Sequence, residues 1–482
     1  MFNFKLIFRV LGLLLLIEGL LMISCIVLSL IYRENGIGSL AISGLITMGT
    51  GGLMWLVTTK SNKNLNARDG FLIVSLCWIL FSLFGSLPFY LSGEIPGFTD
   101  AFFETVSGFT TTGASILNDI EAMSHALLFW RSMTQWLGGM GIIVLSLAIL
   151  PLLGIGGMQL FVAEVPGPTP DKFHPRIKET AKRLWAIYII FTFSETILLL
   201  FGRMNFFDAI CHSFTTMATG GYSTKQASIA YWDSPYIHYV ITLFMFFAGT
   251  NFTLSYFAMH LDFKKVFRNE EFRFYLGFVI AFILLVTGVL YFSQHLSFEQ
   301  SFRDAAFQVV SIITTTGFVT ADYLMWVPVL WVIIFMLMFF GGSAGSTGGG
   351  IKILRVMLFV KNSAAELKRL IHPNAVIPVR FNGNAVPPEI INNVFAFISF
   401  YILTMGIGLT VMSGLGYDLD TSLGAVAATL GNIGPGIGEV GPVFNYAHLP
   451  DFGKWFLSFL MLIGRLELFT VLIIFSPGFW RK

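Results

Sequence analysis

Along most of this chain, long apolar runs alternate with short polar stretches. Runs of about 20 apolar residues are membrane spans rather than amphipathic helices. The pattern predicts ten of them, at 10–31, 38–58, 71–92, 127–150, 184–202, 236–260, 274–293, 326–350, 390–413 and 455–476. Four shorter helices fall between them, at 99–110, 207–217, 301–313 and 420–430. These are too short to cross a bilayer and fit half-membrane, re-entrant helices. The first run has no small-residue cleavage site before Tyr32-Arg33, so it reads as a retained span rather than a signal peptide.

Each short helix runs into a glycine turn, and the turns repeat. Asp100-Ala101-Phe102-Phe103 leads to Thr110-Thr111-Thr112-Gly113, and Asp208-Ala209-Ile210-Cys211 to Ala218-Thr219-Gly220-Gly221. Asp304-Ala305-Ala306-Phe307 leads to Thr314-Thr315-Thr316-Gly317, and a diverged fourth copy runs from Thr421-Ser422-Leu423 to Gly431-Asn432-Ile433-Gly434. Asp100, Asp208 and Asp304 are expected at the N-terminal ends of their helices, favouring the dipole and capping the first turn. The opposite ends place partial negative charge at the turns, where a cation would sit.

Non-helical backbone at membrane depth survives only where protein buries it or it lines a wet cavity. Four such turns must therefore converge. The expected fold is an all-α polytopic membrane protein: two initial transmembrane helices, then four pseudo-repeated units of helix, re-entrant pore loop and helix around one central pore. The units are expected at 67–183, 184–273, 274–385 and 386–482, after a two-helix segment at 1–66.

Composition agrees with this class: 55% of the 482 residues are hydrophobic and 12% charged, against about 25% charged in soluble domains. A net charge of +2 gives no reason to expect a nucleic-acid partner. The positive charges are unevenly placed. Lys5 and Arg9; Lys60, Lys63 and Arg68; Lys172, Arg176, Lys178, Lys182 and Arg183; Lys264, Lys265, Arg268 and Arg273; Lys352, Arg355, Lys361, Lys368, Arg369 and Arg380; and Arg481 and Lys482 make up 22 of the 29 Lys and Arg. The positive-inside rule puts all these segments and both termini in the cytoplasm, and all four turns on the outer side.

The chemistry such turns can perform is dehydration of a monovalent cation by carbonyl oxygens, with glycine permitting the dihedrals and the close approach. Coordination is assigned to the carbonyls around Thr111, Thr112 and Gly113; Thr219, Gly220 and Gly221; Thr315, Thr316 and Gly317; and Asn432, Ile433 and Gly434. In the second turn the spacing from Asp208 selects Gly221, whereas the Thr-Gly pattern selects Gly220. The 341–350 run, with six glycines in ten residues, lacks the Gly-Lys-Ser/Thr of a nucleotide-binding loop. It predicts a broken span or a small-residue packing seam. Arg465 falls inside the last span, either as a structural ion pair with an acid such as Glu467 or as a positive barrier in the inner pore. Glu18 and Glu195 are also intramembrane, with helix–helix hydrogen bonding as the default. Cys25, Cys77 and Cys211 read as inert packing residues. No nucleophile–base set, zinc spacing or nucleotide motif points to an enzyme or a cofactor.

The four turns, the 341–350 run, Gly434-Pro435-Gly436 and Arg465 together resemble the Trk/Ktr/HKT superfamily of potassium transporters, in its bacterial TrkH branch, over essentially the whole chain. The resemblance implies potassium uptake across the bacterial inner membrane, with K+ as the transported ion. It implies that Gly113 goes with potassium preference, where a serine would go with sodium. Gly345, Ser346, Thr347, Gly348, Gly349 and Gly350 would form a flexible gate below the filter, Ser343, Ser346 and Thr347 offering hydroxyls to the pore, with Arg465 beside it. It further implies a homodimer and a cytosolic TrkA-type subunit, binding NAD or ATP, docked on the basic loops. Two rivals remain: a symporter coupling sodium or protons to potassium, and a membrane sensor with a vestigial pore.

Overall fold

The computed structural model describes residues 2–34, 36–58, 66–141 and 177–481. They are helical apart from turns and one hairpin, Arg380–Phe381 paired with Asn384–Ala385. Among the described residues, six helices are long and apolar enough to cross a membrane: Phe4–Tyr32, Ile37–Val57, Arg68–Ser92, Ala181–Phe201, Glu270–Gln294 and Pro388–Gly414. The first two pack closely because glycines meet where they cross. A side-chain carbon on Gly12 would stand 2.6 Å from the Gly51 carbonyl, and one on Gly51 equally close to that of Gly12.

The other four predicted spans are not continuous among the described residues. The run at 127–150 is helical as His125–Gly139, and its 142–150 part lies outside the described residues. The run at 236–260 is two helices, Pro235–Ala248 and Phe252–Met259, bent by 111°. The last run breaks in the same way between Asp451–Arg465 and Phe469–Phe475, also at 111°. The eighth is helical only as Pro328–Leu337, the glycine-rich run following as irregular backbone. The glycine run at 341–350 predicts the break in the eighth; hydropathy does not foresee the others because the residues around them remain apolar.

Contact with the re-entrant helices accounts for the breaks. A side-chain carbon on Gly138 would fall 1.9 Å from the Phe109 carbonyl, and one on Gly464 2.2 Å from that of Leu430. Phe109 and Leu430 hold equivalent places in the first and fourth repeats. Only glycine lets the backbones approach so closely, and the helices stop there.

The re-entrant helices are Phe98–Phe109, Phe206–Met217, Phe298–Ile313 and Leu419–Gly431. Their N-caps are Gly97, Asn205, Ser297 and Asp418, the last three accepting backbone N–H bonds. The expected capping by Asp100, Asp208 and Asp304 is thus corrected. Asp100 and Asp208 sit in the first turn, but Asp304 lies a turn further in, since the third helix begins earlier than the pattern suggested. Asp100 instead holds Lys454 at 2.5 Å, and Asp208 accepts the Thr224 hydroxyl at 2.6 Å.

The basic segments need one correction. Lys352 and Arg355 are buried rather than loop charges: Lys352 donates to the Gly348 carbonyl and Arg355 pairs with Glu467. The 352–381 segment is mostly an amphipathic helix, Ile353–Ile371. Lys60, Lys63, Lys172, Arg176 and Lys482 lie outside the described residues, as does the side chain of Lys178. The three cysteines are buried and unlinked.

Candidate functional site

Each re-entrant helix ends in the same backbone device. Thr112 N–H reaches back to Ser107 O at 2.8 Å, Gly220 to Thr215 at 2.8 Å, Thr316 to Ser311 at 2.8 Å and Ile433 to Ala428 at 2.9 Å. This six-to-one bond closes a Schellman-type end, which requires a left-handed residue just before it. That residue is Thr111 (φ 54°), Thr219 (φ 53°), Thr315 (φ 59°) and Asn432 (φ 55°). Three of the four are β-branched, where the left-handed region costs about 1–2 kcal/mol each. Strain repeated at equivalent positions marks a geometry that the surroundings impose.

Two residues later each turn has a left-handed glycine: Gly113 (φ 83°), Gly221 (φ 73°), Gly317 (φ 79°) and Gly434 (φ 97°). The second turn's register follows: Gly221 corresponds to Gly113, and Gly220 to Thr112.

These glycines fit the four turns together. A side-chain carbon on Gly113 would lie 2.2 Å from the Gly220 carbonyl oxygen. On Gly221 it would lie 2.0 Å from that of Thr316, on Gly317 1.9 Å from that of Ile433, and on Gly434 2.8 Å from that of Thr112. Each glycine packs on the middle carbonyl of the next turn, first to second, third, fourth and back to first. The turns close a ring. A helix end alone would not require four glycines to face four carbonyls in cyclic order.

The 341–350 run lies against this ring and fills the breaks in the inner helices. Ser343 N–H donates to Gly249 O at 2.8 Å, and Phe252 N–H to Gly345 O at 3.2 Å, supplying partners for backbone groups freed by the 111° bend. Gly349 N–H donates to the Thr315 hydroxyl at 2.7 Å. Side-chain carbons on Gly348 and Gly349 would meet the Thr314 and Gly431 carbonyls at 2.9 and 2.6 Å. Gly345 and Gly350 are left-handed, at φ 74° and 63°. Two of the three hydroxyls in the run have backbone acceptors. Ser346 donates to Ser343 O at 2.7 Å and Thr347 to Met217 O at 3.0 Å, so both are engaged with backbone.

Arg465 is the last residue of its helix, not the middle of a span. It donates to Thr347 O at 2.6 Å, and to Gly138 O and Gly139 O at 2.6 and 3.0 Å. One guanidinium therefore ties the glycine run to the end of the inner helix His125–Gly139 of the first repeat. Glu467 is taken by Arg355. Glu18 is buried beside Gly85, and its carboxyl oxygens accept no hydrogen bond among the described residues. Glu195 is buried too.

Sequence reasoning missed the braces behind the ring. Glu104 accepts from Arg131 Nε at 2.7 Å, Ser115 Oγ at 3.0 Å and Ile116 N–H at 2.9 Å. Arg131 also reaches Ser223 O at 3.0 Å and lies over the Tyr222 ring, whose hydroxyl returns to Glu104 O at 2.6 Å. His212, at the matching place in the second repeat, bonds Ser223 Oγ at 2.9 Å. Tyr323 and Tyr446 hold Gly436 O and Gly434 O at 2.6 and 2.8 Å. A signal was present: Glu104, His212 and Gln308 each stand four residues after the repeat's aspartate. Arg131→Leu is expected to destabilise the protein by about 3–5 kcal/mol by leaving Glu104 buried and unpaired. Thermal unfolding in detergent reads this, with Glu104→Gln added to Arg131→Leu recovering part of the loss.

The family model described as TrkH, cation transport protein, matches residues 38–482. The Trk system potassium uptake proteins TrkH of Halomonas elongata and of Escherichia coli K12 are each 43% identical to the chain, over 100% of both partners. TrkG of Escherichia coli K12, also a Trk system potassium uptake protein, is 36% identical over 98% of this chain and 97% of its own. The crystal structure of the potassium transporter TrkH from Vibrio parahaemolyticus superposes with a TM-score of 0.90 at 39% identity, covering 99% of this chain and 100% of that one.

Proposed function

The chain belongs to the TrkH family of cation transport proteins, and from that premise we propose that it takes up potassium across the bacterial inner membrane through a gated, channel-like pore. The observation that carries this reading is the closed ring of four turns, each glycine against the next turn's middle carbonyl. Carbonyls from the four turns replace the hydration shell of K+, supplied by Thr111 to Gly113, Thr219 to Gly221, Thr315 to Gly317 and Asn432 to Gly434. K+ is the cargo, no resident cofactor takes part, and the chain acts as a transporter rather than an enzyme.

Gly345 to Gly350 form the gate in this reading. The run abuts the inner side of the turns through Gly348 and Gly349, and it is tied from three repeats at once. A few-residue backbone shift there opens or blocks the path without repacking the spans. Arg465 clamps the run and adds positive charge beside it. The chain works as four units after an initial helix pair, with both termini cytoplasmic, and as a homodimer bound to a cytosolic nucleotide-binding subunit.

That subunit docks on the basic face around Ile353–Ile371. Lys368 is exposed there, while Arg369 is engaged with Glu366 and with Ile377 O at 2.5 Å. Lys368→Gln is therefore expected to weaken association with a TrkA-type subunit several-fold at low salt and little at high salt. Binding of the two purified proteins across a salt series checks it; unchanged association would leave the charge a topological signal only.

The reading as a whole is tested by flux through the purified protein in liposomes under crossed gradients. A channel-like pore gives a reversal potential that follows the K+ gradient alone. A shift on imposing a proton or sodium gradient makes it a symporter, and no flux makes it a sensor.

A further inference from the structure

The second turn is the one in the ring whose middle residue, Gly220, has no side chain. In the first and third turns, the middle threonine's hydroxyl pairs with that of the residue two before it: Thr112 with Thr110 and Thr316 with Thr314, each at 2.8 Å. The corresponding residues in the second turn are Gly220 and Ala218, which have no hydroxyl. The vacant volume is filled from another repeat. A side-chain carbon on Gly220 would meet Gln135 Cδ at 2.4 Å and Oε1 at 2.5 Å.

Gln135 is fully buried on the inner helix of the first repeat. Its Nε2 donates to Gly220 O at 2.6 Å, and its Oε1 accepts from Tyr222 N–H at 3.0 Å. The amide orientation is fixed, because a carbonyl only accepts and a backbone N–H only donates. Among the described residues, Gly220 is the one of the four middle carbonyls that accepts a side-chain hydrogen bond. It is also the carbonyl against which Gly113 packs.

We infer that Gln135 is a selectivity-positioning residue: it replaces the side chain missing at Gly220 and sets the position and field strength of that carbonyl for K+. The inference rests on the reading of the four turns as an ion filter. A carbonyl oxygen has two lone pairs, so one serves Gln135 and one remains for an ion. Sharing with an amide donor weakens the oxygen's field, and a weaker field favours the larger, less tightly hydrated K+ over Na+. The second contact, to Tyr222 N–H, keeps the amide from turning away.

The test compares K+ and Na+ flux ratios in liposomes for Gln135→Met, which keeps the volume and removes the donor, and for Gly113→Ser. The Gln135→Met ratio is expected to fall about fivefold, the change for one net hydrogen bond, mainly through greater Na+ flux. If Gly113→Ser lowers the ratio and Gln135→Met does not, the inference is overturned and the filter reading stands. If neither changes it, the filter reading itself fails. Gly220→Thr combined with Gln135→Ala refills the space the glutamine vacates but supplies no donor to the carbonyl, so its ratio is expected to stay as low as that of Gln135→Met. Should Gln135→Met not assemble, that double variant decides: a lowered ratio in a folded protein supports the inference, and a ratio equal to the parent's overturns it.

Discussion

Gly113→Ser is expected to reduce discrimination between potassium and sodium by about tenfold, equivalent to roughly 1.4 kcal/mol, while the protein still assembles. The serine must hold a left-handed backbone, and its side-chain carbon would begin 2.2 Å from the Gly220 oxygen. That contact cannot be kept, so the first or second turn moves and the ring opens at one junction. Gly383→Ser is the matched control. Gly383 is also left-handed, at φ 82°, but a side chain there meets nothing within 4 Å. It carries the same backbone cost without touching the ring, and discrimination should be unchanged. Equal flux ratios for Gly113→Ser and the parent would remove the first turn from the ion path.

Arg465→Ala is expected to raise potassium flux in the absence of the cytosolic subunit, by up to about a hundredfold. Two effects act together. Repulsion between unit charges about 6 Å apart is near 3 kcal/mol at an effective dielectric of about 20, and removing it lowers the barrier to K+. The substitution also frees Thr347 O, Gly138 O and Gly139 O, so the glycine run loses its tie to the first repeat. Arg465→Lys separates the two, since lysine keeps the charge but cannot reproduce the planar fork that serves several carbonyls. Flux that rises in both variants identifies the tie as the control; a rise in alanine alone identifies the charge. Selectivity should be the same throughout, because the ring glycines are untouched. A purely structural Arg465 would instead lower the yield of folded protein with no gain in flux, so both are measured on one preparation.

The turns were legible in the sequence because their backbone leaves little choice of residue. Gly113, Gly221, Gly317 and Gly434 are left-handed and packed on carbonyls, and such positions persist as glycine through otherwise diverged repeats. The register of the second turn was not legible, since Gly220 and Gly221 look alike until the dihedrals separate them. The helix ends at Gly139, Ala248 and Arg465 were hidden for a different reason. Hydropathy reads how apolar a segment is, and the backbone leaves the helix there without becoming polar; only contact with the re-entrant helices fixes the place. Lys352 and Arg355 looked like solvated loop charges because their burial depends on partners distant in sequence, the Gly348 carbonyl and Glu467. The braces at Glu104, His212 and Gln308 were visible as a shared offset from an aspartate. Their different side chains concealed the common task, which is to hold the chain just beyond each turn.

The most direct test of the ring as an ion site is anomalous diffraction from crystals of the protein soaked in Tl+ or Rb+ in place of K+. The account predicts a peak on the axis of the four turns, at coordinating distance from the carbonyls of Thr112, Gly220, Thr316 and Ile433. Well-ordered turns with no anomalous density between them, and ions bound elsewhere along the chain, would contradict it.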